Sequence, residues 1–212
     1  MTQFSTKILE LLSSRICHDL ISPVGAISNG VELIEEMGLV DGADAVDLIA
    51  DSAKKSSAYL KLYRLAYGAS GAGSDVKPAD IKSIFSEYMA LGKADFIWED
   101  APVLTSVLPP RGMLKCLLNA MFLAADGLGI GGTMTFRVIQ DEPLKFEIEV
   151  AGDRLTFKEN MLPAAFSDLS EDELDPKTVH GRVTKLICEQ YGVLLDHKKD
   201  GENKVFIHLT AS

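Results

Sequence analysis

A long apolar stripe with helical spacing opens the chain and restricts its fold more than any other feature. Residues 8–34 carry an isoleucine, leucine or valine about every 3.6 positions, which is the period of an α-helix. The stripe consists of Ile8, Leu12, Ile16, Leu20, Val24, Ile27, Val31 and Ile34. The sequence therefore predicts one long helix over residues 4–37. Turn signals at Met37-Gly38 and Asp41-Gly42 separate it from a second helix, predicted from about Ala43 to Tyr67.

Two long helices joined by a short turn form a helical hairpin. The second helix has apolar positions near heptad spacing, at Val46, Ile49, Ala53, Leu60, Tyr63 and Tyr67. A hairpin of this kind cannot cover both of its faces alone, and two copies commonly pair into a four-helix bundle. We therefore expect a homodimer. The alternative is that the hairpin packs only on the C-terminal part of its own chain.

His18 is predicted to project from the solvent side of the first helix. At about 100° per residue it points away from Ile16 and Leu20, and its neighbours on the outer face are small or polar: Ser14, Ser22, Gly25 and Asn29. Proline inside a helix costs about 3 kcal/mol. Because the apolar stripe continues beyond Pro23, we interpret this proline as a bend within the helix rather than as its end. A sequence that tolerates such a bend one turn after His18 favours a functional histidine. A solvated side chain without a function is the alternative for His18.

The segment His18-Asp19-Leu20-Ile21-Ser22-Pro23 resembles the H-box of bacterial sensor kinases, in which a histidine and an acidic residue precede a proline. Residues 18–33 (HDLISPVGAISNGVEL) and the later run Arg64-Leu65-Ala66-Tyr67-Gly68-Ala69 are similar to the ChpT-type histidine phosphotransferases. The resemblance extends over essentially the whole chain. It implies a dimeric relay protein that takes phosphate from a hybrid kinase and passes it to response regulators.

The resemblance implies that His18 is the phosphoacceptor. Neutral imidazole, with a usual pKa of about 6.5, is a competent nucleophile for the acyl phosphate of a receiver domain. Asp19 would orient the ring or relay a proton, unless it is an ordinary surface carboxylate. The receiver domain would supply Mg²⁺, so we expect no stably bound cofactor and no metal site.

An incoming receiver domain would meet the helix face around His18. The residues expected to contact it are Leu11, Ser14, Arg15, Ile21, Ser22, Gly25 and Asn29. Arg15 would steady the transferred phosphate, or it would only pair with Asp19 one turn later. Leu11 and Ile21 would be apolar anchors for the partner, or ordinary packing residues of the bundle.

A second domain is predicted after a Gly- and Ser-rich linker at residues 68–74. The expected domains are residues 1–70, the phosphotransfer hairpin, and residues 75–212. The second domain should contain helices at 79–91, 110–127 and 175–191, strands at 96–98, 104–107, 133–139 and 145–150, and a hairpin pairing 193–197 with 205–209. The expected class is α+β: a helical hairpin forming a dimeric bundle, then an α/β sandwich. The sandwich resembles the ATP-binding domain of sensor kinases.

The nucleotide site of that domain is predicted to be degenerate. Asn119 fits the family's magnesium-binding asparagine, but Asp153 lacks the glycines expected after it, and the phosphate loop is reduced to His180-Gly181-Arg182. Phosphate loops need glycines so that backbone N–H groups can approach closely. Asn119, Asp153 and Gly181 are therefore interpreted as structural remnants. An active histidine kinase and a non-catalytic dimeric scaffold remain the alternatives.

Composition restricts the partners and the compartment. The chain has 212 residues and a net charge of −10, which disfavours nucleic acids and anionic membranes. No apolar run reaches the 18 or more residues that span a bilayer, and no secretory signal opens the chain. Cys17, Cys116 and Cys188 have no metal-binding spacing and are expected to be buried thiols. We expect a cytoplasmic protein.

Overall fold

Two antiparallel helices, α1 (Thr6–Asp41) and α2 (Ala43–Ala66), form the predicted hairpin. The computed structural model describes residues 5–69, 76–106, 108–128, 131–157 and 160–212, apart from the side chains of residues 39–41 and 106. The Ser5 hydroxyl caps α1 by accepting a hydrogen bond from the Ile8 N–H at 3.2 Å. Both predicted helices are confirmed, and their bounds differ from the expectation by a few residues.

Helix α1 continues through Pro23 with helical dihedral angles on both sides. Its backbone leaves the helical region only at Gly38, in the last turn, where φ is +76°. Glycine adopts this left-handed region at little cost. The prediction that Pro23 does not end the helix is therefore confirmed, and the turn predicted around Gly38 and Gly42 is where the chain reverses.

A five-stranded mixed sheet forms the centre of the C-terminal part. Its strands are β1 (Asp95–Trp98), β2 (Thr133–Asp141), β3 (Leu144–Ala151), β4 (Val193–Lys199) and β5 (Lys204–Ala211). The spatial order is β1-β2-β3-β5-β4. Strand β1 pairs parallel with β2, with Asp95 opposite Thr133, and the other pairs are antiparallel. Buried and half-buried residues alternate along β3 and β5, so one face of the sheet is packed and the other is partly open to solvent.

Helices cover the buried face of this sheet. They are α3 (Pro78–Met89), α5 (Met113–Asp126), α6 (Met161–Phe166) and α7 (Val179–Gln190), and the short helix α4 (Val103–Ser106) lies between β1 and α5 in the chain. Helix α5 is buried almost all round, because it lies between the sheet, α7 and the end of α2. The resulting α+β architecture confirms the predicted fold class, and the single hydrophobic core extends from the sheet to Leu62 and Ala66 of α2.

Two local predictions are wrong, the strand at 104–107 and the burial of Cys17. Residues 104–106 form helix α4 rather than a strand, because the Leu104 and Thr105 N–H groups bond to carbonyls three residues earlier, at Ala101 and Pro102; residue 107 lies outside the described residues. Between α6 and α7 the chain forms one 3₁₀ turn at Glu171–Glu173. His180 lies in the first turn of α7, within the helix predicted at 175–191. Cys17 is exposed, whereas Cys116 and Cys188 are buried thiols as expected.

The apolar stripe of α1 is covered only in part by its own chain. Ile8 is buried, and Leu12 and Ile16 pack against the core, but Val24 and Val31 are exposed. Val46 and Leu60 of α2 are exposed as well. Residues 70–74 of the predicted linker, and with them the domain boundary, lie outside the described residues, so the division into two domains stays a prediction. Within the described ranges every helix is too short or too polar to span a lipid bilayer.

Candidate functional site

His18 projects from α1 into solvent, as the helical periodicity predicted. Its side chain is 82% exposed. The ring Nδ1 lies 3.2 Å from Oδ1 of Asp19. A carboxylate oxygen only accepts hydrogen bonds, so we assign the ring hydrogen to Nδ1. The lone pair of the neutral ring is then on Nε2, and this nitrogen is available to an approaching electrophile.

Asp19 is held from two sides, although it lies on the surface helix. The Tyr63 hydroxyl of α2 donates a hydrogen bond to Asp19 Oδ2, and Arg15 Nε lies 3.9 Å from the same oxygen. Burial, together with the hydrogen bond to Asp19, raises the pKa of Tyr63, so the phenol remains a donor. Asp19 is thus a fixed carboxylate beside the imidazole rather than a freely solvated one.

Arg15 corrects one of the predictions. It is buried rather than exposed beside His18. Its Nη2 donates to both carboxylate oxygens of Asp126 at 2.8 and 2.7 Å, and its Nη1 donates to the Lys177 carbonyl at 3.2 Å. The guanidinium lies 4.8 Å from the centre of the Phe122 ring. Arg15 therefore joins the hairpin to α5 and to the turn that precedes α7, and it is not free to contact a receiver domain directly.

Each member of the Arg15–Asp126 pair shifts the pKa of the other toward its ionised form. Burial alone would lower the pKa of Arg15, but the neighbouring Asp126, together with Tyr67 and Tyr63, raises it. Burial raises the pKa of Asp126, and Arg15 opposes that effect. Two hydrogen bonds between the charged groups compensate for the loss of water around them.

A cleft of about 680 Å³ opens beside His18, between α1 and the C-terminal part of the chain. We call it the His18 cleft. Its walls are formed by Ser14, Arg15, His18, Asp19, Asp126, Met161, Asp175, Pro176 and Lys177. The phosphoacceptor candidate therefore lies at a junction of both parts of the molecule, which the sequence alone did not indicate.

Most of the other predicted contact residues lie on the exposed face of α1. Ser14, Ser22, Gly25 and Asn29 are exposed, and Ile21 is 70% exposed. A Cβ placed on Gly25 would meet no atom within 4 Å, so the surface above this glycine is open. Leu11 differs from them because it is half-buried and packs against the core. It is therefore a packing residue, which is the alternative that the sequence left open.

Asn119 has taken up a structural role. It is completely buried on α5, and its amide nitrogen donates to the carbonyls of Ala66 and Lys115 at 3.0 and 2.9 Å. Lys115, one turn earlier, donates to the Gly68 carbonyl at 2.7 Å. The last carbonyls of a helix have no partner within it. Asn119 and Lys115 satisfy these carbonyls at the end of α2 and fix the hairpin to the C-terminal part.

His180 and Gly181 are also used for packing. The His180 Nε2 donates to the Asn119 carbonyl at 3.0 Å, and its Nδ1 accepts from the Tyr67 hydroxyl at 2.8 Å. Burial, with a contribution from Arg15, lowers the pKa of His180 to about 3, so the ring is neutral. A Cβ on Gly181 would lie 2.8 Å from the Met161 carbonyl oxygen. Helix α6 therefore fills the space in front of this glycine.

Asp153 lies apart from these groups. It is exposed in a bend after β3, and it forms no hydrogen bond or ion pair with any other described residue. The structure therefore brings together Asn119 and His180, at the end of α2, but does not join Asp153 to them. No group of three or more potential metal ligands occurs among the described residues.

Comparison with known proteins agrees with this arrangement. The family model of the histidine phosphotransferase C-terminal domain matches residues 78–203. The protein phosphotransferase ChpT of Brucella abortus (strain 2308) is 37% identical over 198 residues, which are 92% of each chain. The chain belongs to the ChpT-type histidine phosphotransferase family. A bacterial phosphotransferase solved at 1.7 Å matches this family member with a TM-score of 0.81 and 33% identity, over 99% of this chain and 98% of that one.

Membership of the ChpT-type family confirms the resemblance found in the H-box and the later Arg64–Ala69 run. Sequence reasoning missed three residues that shape the site: Tyr63, Asp126 and Lys115. Tyr63 belongs to the apolar pattern of α2, so its hydroxyl gave no signal of a polar role. Asp126 and Lys115 interact with residues 111 and 47 positions away, and no local pattern reveals such pairs.

Proposed function

We propose that this histidine phosphotransferase accepts a phosphoryl group on Nε2 of His18 from the aspartyl phosphate of a hybrid kinase's receiver domain. His18 then passes the phosphoryl group to the receiver domains of response regulators. The single observation that carries it is the exposed imidazole with its Nδ1 held by Asp19. We place this relay in the cytoplasm, as expected from the sequence.

The transfer requires little chemistry from the chain itself. Nε2 attacks phosphorus, the N–P bond forms, and the bond between phosphorus and the carboxyl oxygen of the receiver breaks, so that the electron pair leaves with the carboxylate. The ring becomes cationic when its lone pair enters the new bond. Asp19, which accepts the Nδ1–H hydrogen bond, stabilises this charge. In the reverse direction a receiver aspartate attacks phosphorus and the lone pair returns to Nε2. Mg²⁺ would be supplied by the receiver domain.

We further propose that the protein has no ATP-dependent autokinase activity. Asn119 is engaged with the carbonyls at the end of α2, Gly181 packs against α6, and Asp153 lies apart from both. A phosphate group in front of Gly181 would require α6 to move. These contacts support a domain in which Asn119 and Gly181, at expected nucleotide-binding positions, are engaged in internal packing, and in which Asn119 binds the end of α2.

The donor of the phosphoryl group is tested by labelling the protein under two conditions. We expect label on the protein when it is mixed with the phosphorylated receiver domains of the hybrid kinases encoded in its own genome. The label should be acid-labile, as expected for phosphohistidine. We expect none with labelled ATP alone, at any Mg²⁺ concentration. Label from ATP alone would show that the protein is a kinase, and no label from any receiver domain would favour the scaffold.

We also propose that two copies pair through the hairpin. Six large apolar side chains are exposed on its distal half: Val24, Val31, Leu33, Met37, Val46 and Leu48. Val24 and Val31 continue the apolar stripe of α1 beyond the part that its own chain covers, and exposed apolar surface of this kind is typical of an interaction site. A second copy would cover it by completing a four-helix bundle. Sedimentation equilibrium should give twice the mass of the chain, and the mass of one chain at micromolar concentration would contradict the dimer.

A further inference from the structure

We infer that Tyr63 is a positioning residue for His18, acting through Asp19. This inference rests on the proposed function of His18. The observation behind it is a chain of hydrogen bonds that runs from Tyr63 of α2 through Asp19 to Nδ1 of the exposed imidazole. The Tyr63 hydroxyl donates to Asp19 Oδ2, and Oδ1 of the same carboxylate lies 3.2 Å from His18 Nδ1.

Tyr63 is buried and packed on several sides, whereas His18 is exposed. The phenol is 6% exposed, and its ring stacks on Tyr59 and Tyr67 with centroids 6.0 and 5.5 Å apart. Phe122 contacts it from α5. Because burial and the bond to Asp19 raise the pKa of Tyr63, the hydroxyl donates throughout the physiological range. The exposed His18 side chain, in contrast, makes its only hydrogen bond among the described residues with Asp19.

The two carboxylate oxygens of Asp19 have different hydrogen-bond partners. Tyr63 occupies Oδ2, which also faces the Arg15 guanidinium, and this leaves Oδ1 for the imidazole. Oδ1 accepts from Nδ1–H and so keeps the lone pair on Nε2, the nitrogen that must attack phosphorus. Without the Tyr63 hydroxyl, the carboxylate is free to rotate about its own χ angles. The imidazole then samples both tautomers and several rotamers, and the fraction with Nε2 ready for in-line attack falls.

The chain offers a matched pair of variants to test this inference. Tyr63→Phe removes only the hydroxyl and keeps the ring in its stack. Tyr59→Phe is the control, one turn earlier on the same helix, because the Tyr59 hydroxyl forms no hydrogen bond with any described residue. We expect the maximal rate of phosphoryl transfer to His18 to fall about tenfold in Tyr63→Phe, with the receiver concentration at half-saturation unchanged. This loss is the size expected for one hydrogen bond to a charged group, about 1.4 kcal/mol. Tyr59→Phe should transfer at the wild-type rate.

A spectroscopic readout separates positioning from a merely structural role. ¹⁵N NMR at pH 8, where an imidazole is mostly neutral, should show His18 mainly in the Nδ1–H tautomer in the wild type and in Tyr59→Phe. The Nε2–H tautomer should increase in Tyr63→Phe. The same spectra show whether each variant is folded, and they need no phosphate. The tautomer measurement therefore tests the role of Tyr63 independently of the proposed relay. The relay itself is contradicted if the wild type takes up no phosphate.

A double-variant cycle tests whether Tyr63 acts through Asp19. On an Asp19→Ala background, Tyr63→Phe should cause no further loss of rate, because the intermediary is already gone. Losses that multiply in the double variant would overturn the inference. So would an unchanged tautomer in Tyr63→Phe, whatever its rate, since the hydroxyl would then serve only packing or stability.

Discussion

Arg15→Ala is expected to lower the free energy of unfolding by about 3–5 kcal/mol, the loss typical when one partner of a buried ion pair is removed. The pair is largely buried, since the side chains of Arg15 and Asp126 are 10% and 17% exposed. Removal of Arg15 leaves the Asp126 carboxylate without its two charged hydrogen bonds. Chemical denaturation followed by circular dichroism measures the loss.

Two further variants show that the loss comes from the uncompensated charge. Lys7→Ala breaks an exposed ion pair between the same helix and Asp172, and it should leave the unfolding transition nearly unchanged. The double variant Arg15→Met/Asp126→Leu should recover most of the stability that Arg15→Met alone loses, because no charge then remains buried. An Arg15→Ala protein as stable as Lys7→Ala would contradict a structural role for the pair.

The free energy of unfolding of Arg15→Met should fall as the pH rises. Burial raises the pKa of Asp126, and the variant lacks the cation that opposes this. The folded variant then binds a proton more tightly than the unfolded chain does. Its stability is therefore greatest below the unfolded pKa of about 4 and is lost as the pH rises toward the raised folded value. The difference in stability between the wild type and Arg15→Met should thus be larger at pH 7 than at pH 4.

His18→Ala should reduce phosphoryl uptake from a phosphorylated receiver domain by more than about a thousandfold, because no other group in the cleft forms the intermediate. Because His18 is exposed and its one hydrogen bond within the described part of the chain is to Asp19, the variant should unfold at the wild-type denaturant concentration. The control is His197→Ala, which removes a histidine of β4 stacked on Phe166 and should leave uptake unchanged. Label remaining on His18→Ala would show that another residue accepts the phosphate.

The hairpin and the exposure of His18 were predictable because both follow from local periodicity. A stripe repeating every 3.6 residues indicates which face of α1 packs on the core around Ile8, Leu12 and Ile16, and His18 lies opposite Ile16 whatever the rest of the chain does. The α+β class followed in the same way from the order of helical and alternating segments. The continuation of the helix through Pro23 was predictable for a similar reason, since the stripe extends on both sides of it, whereas the predicted bend stays a prediction.

The environment of Arg15 was not predictable, because it depends on tertiary contacts. Spacing along α1 gave only the pair with Asp19, and the stronger partner, Asp126, is at the end of α5. The same limit applies to Asn119, which the sequence matched to a nucleotide-binding position without indicating what it binds now. The strand predicted at 104–107 was wrong for a different reason, because a short apolar run fits a strand or a helix equally well. Hydrogen bonds from Leu104 and Thr105 to carbonyls three residues earlier form a helical turn here.

A three-component relay tests the central claim most directly. A labelled donor receiver domain and an unlabelled acceptor receiver domain are mixed with catalytic amounts of the wild type or of His18→Ala, without ATP. We predict that label moves from the donor to the acceptor at a rate proportional to the wild-type concentration. No transfer above the protein-free background should occur with His18→Ala. Equal transfer with the two proteins, or none with the wild type, would contradict a phosphorelay through His18.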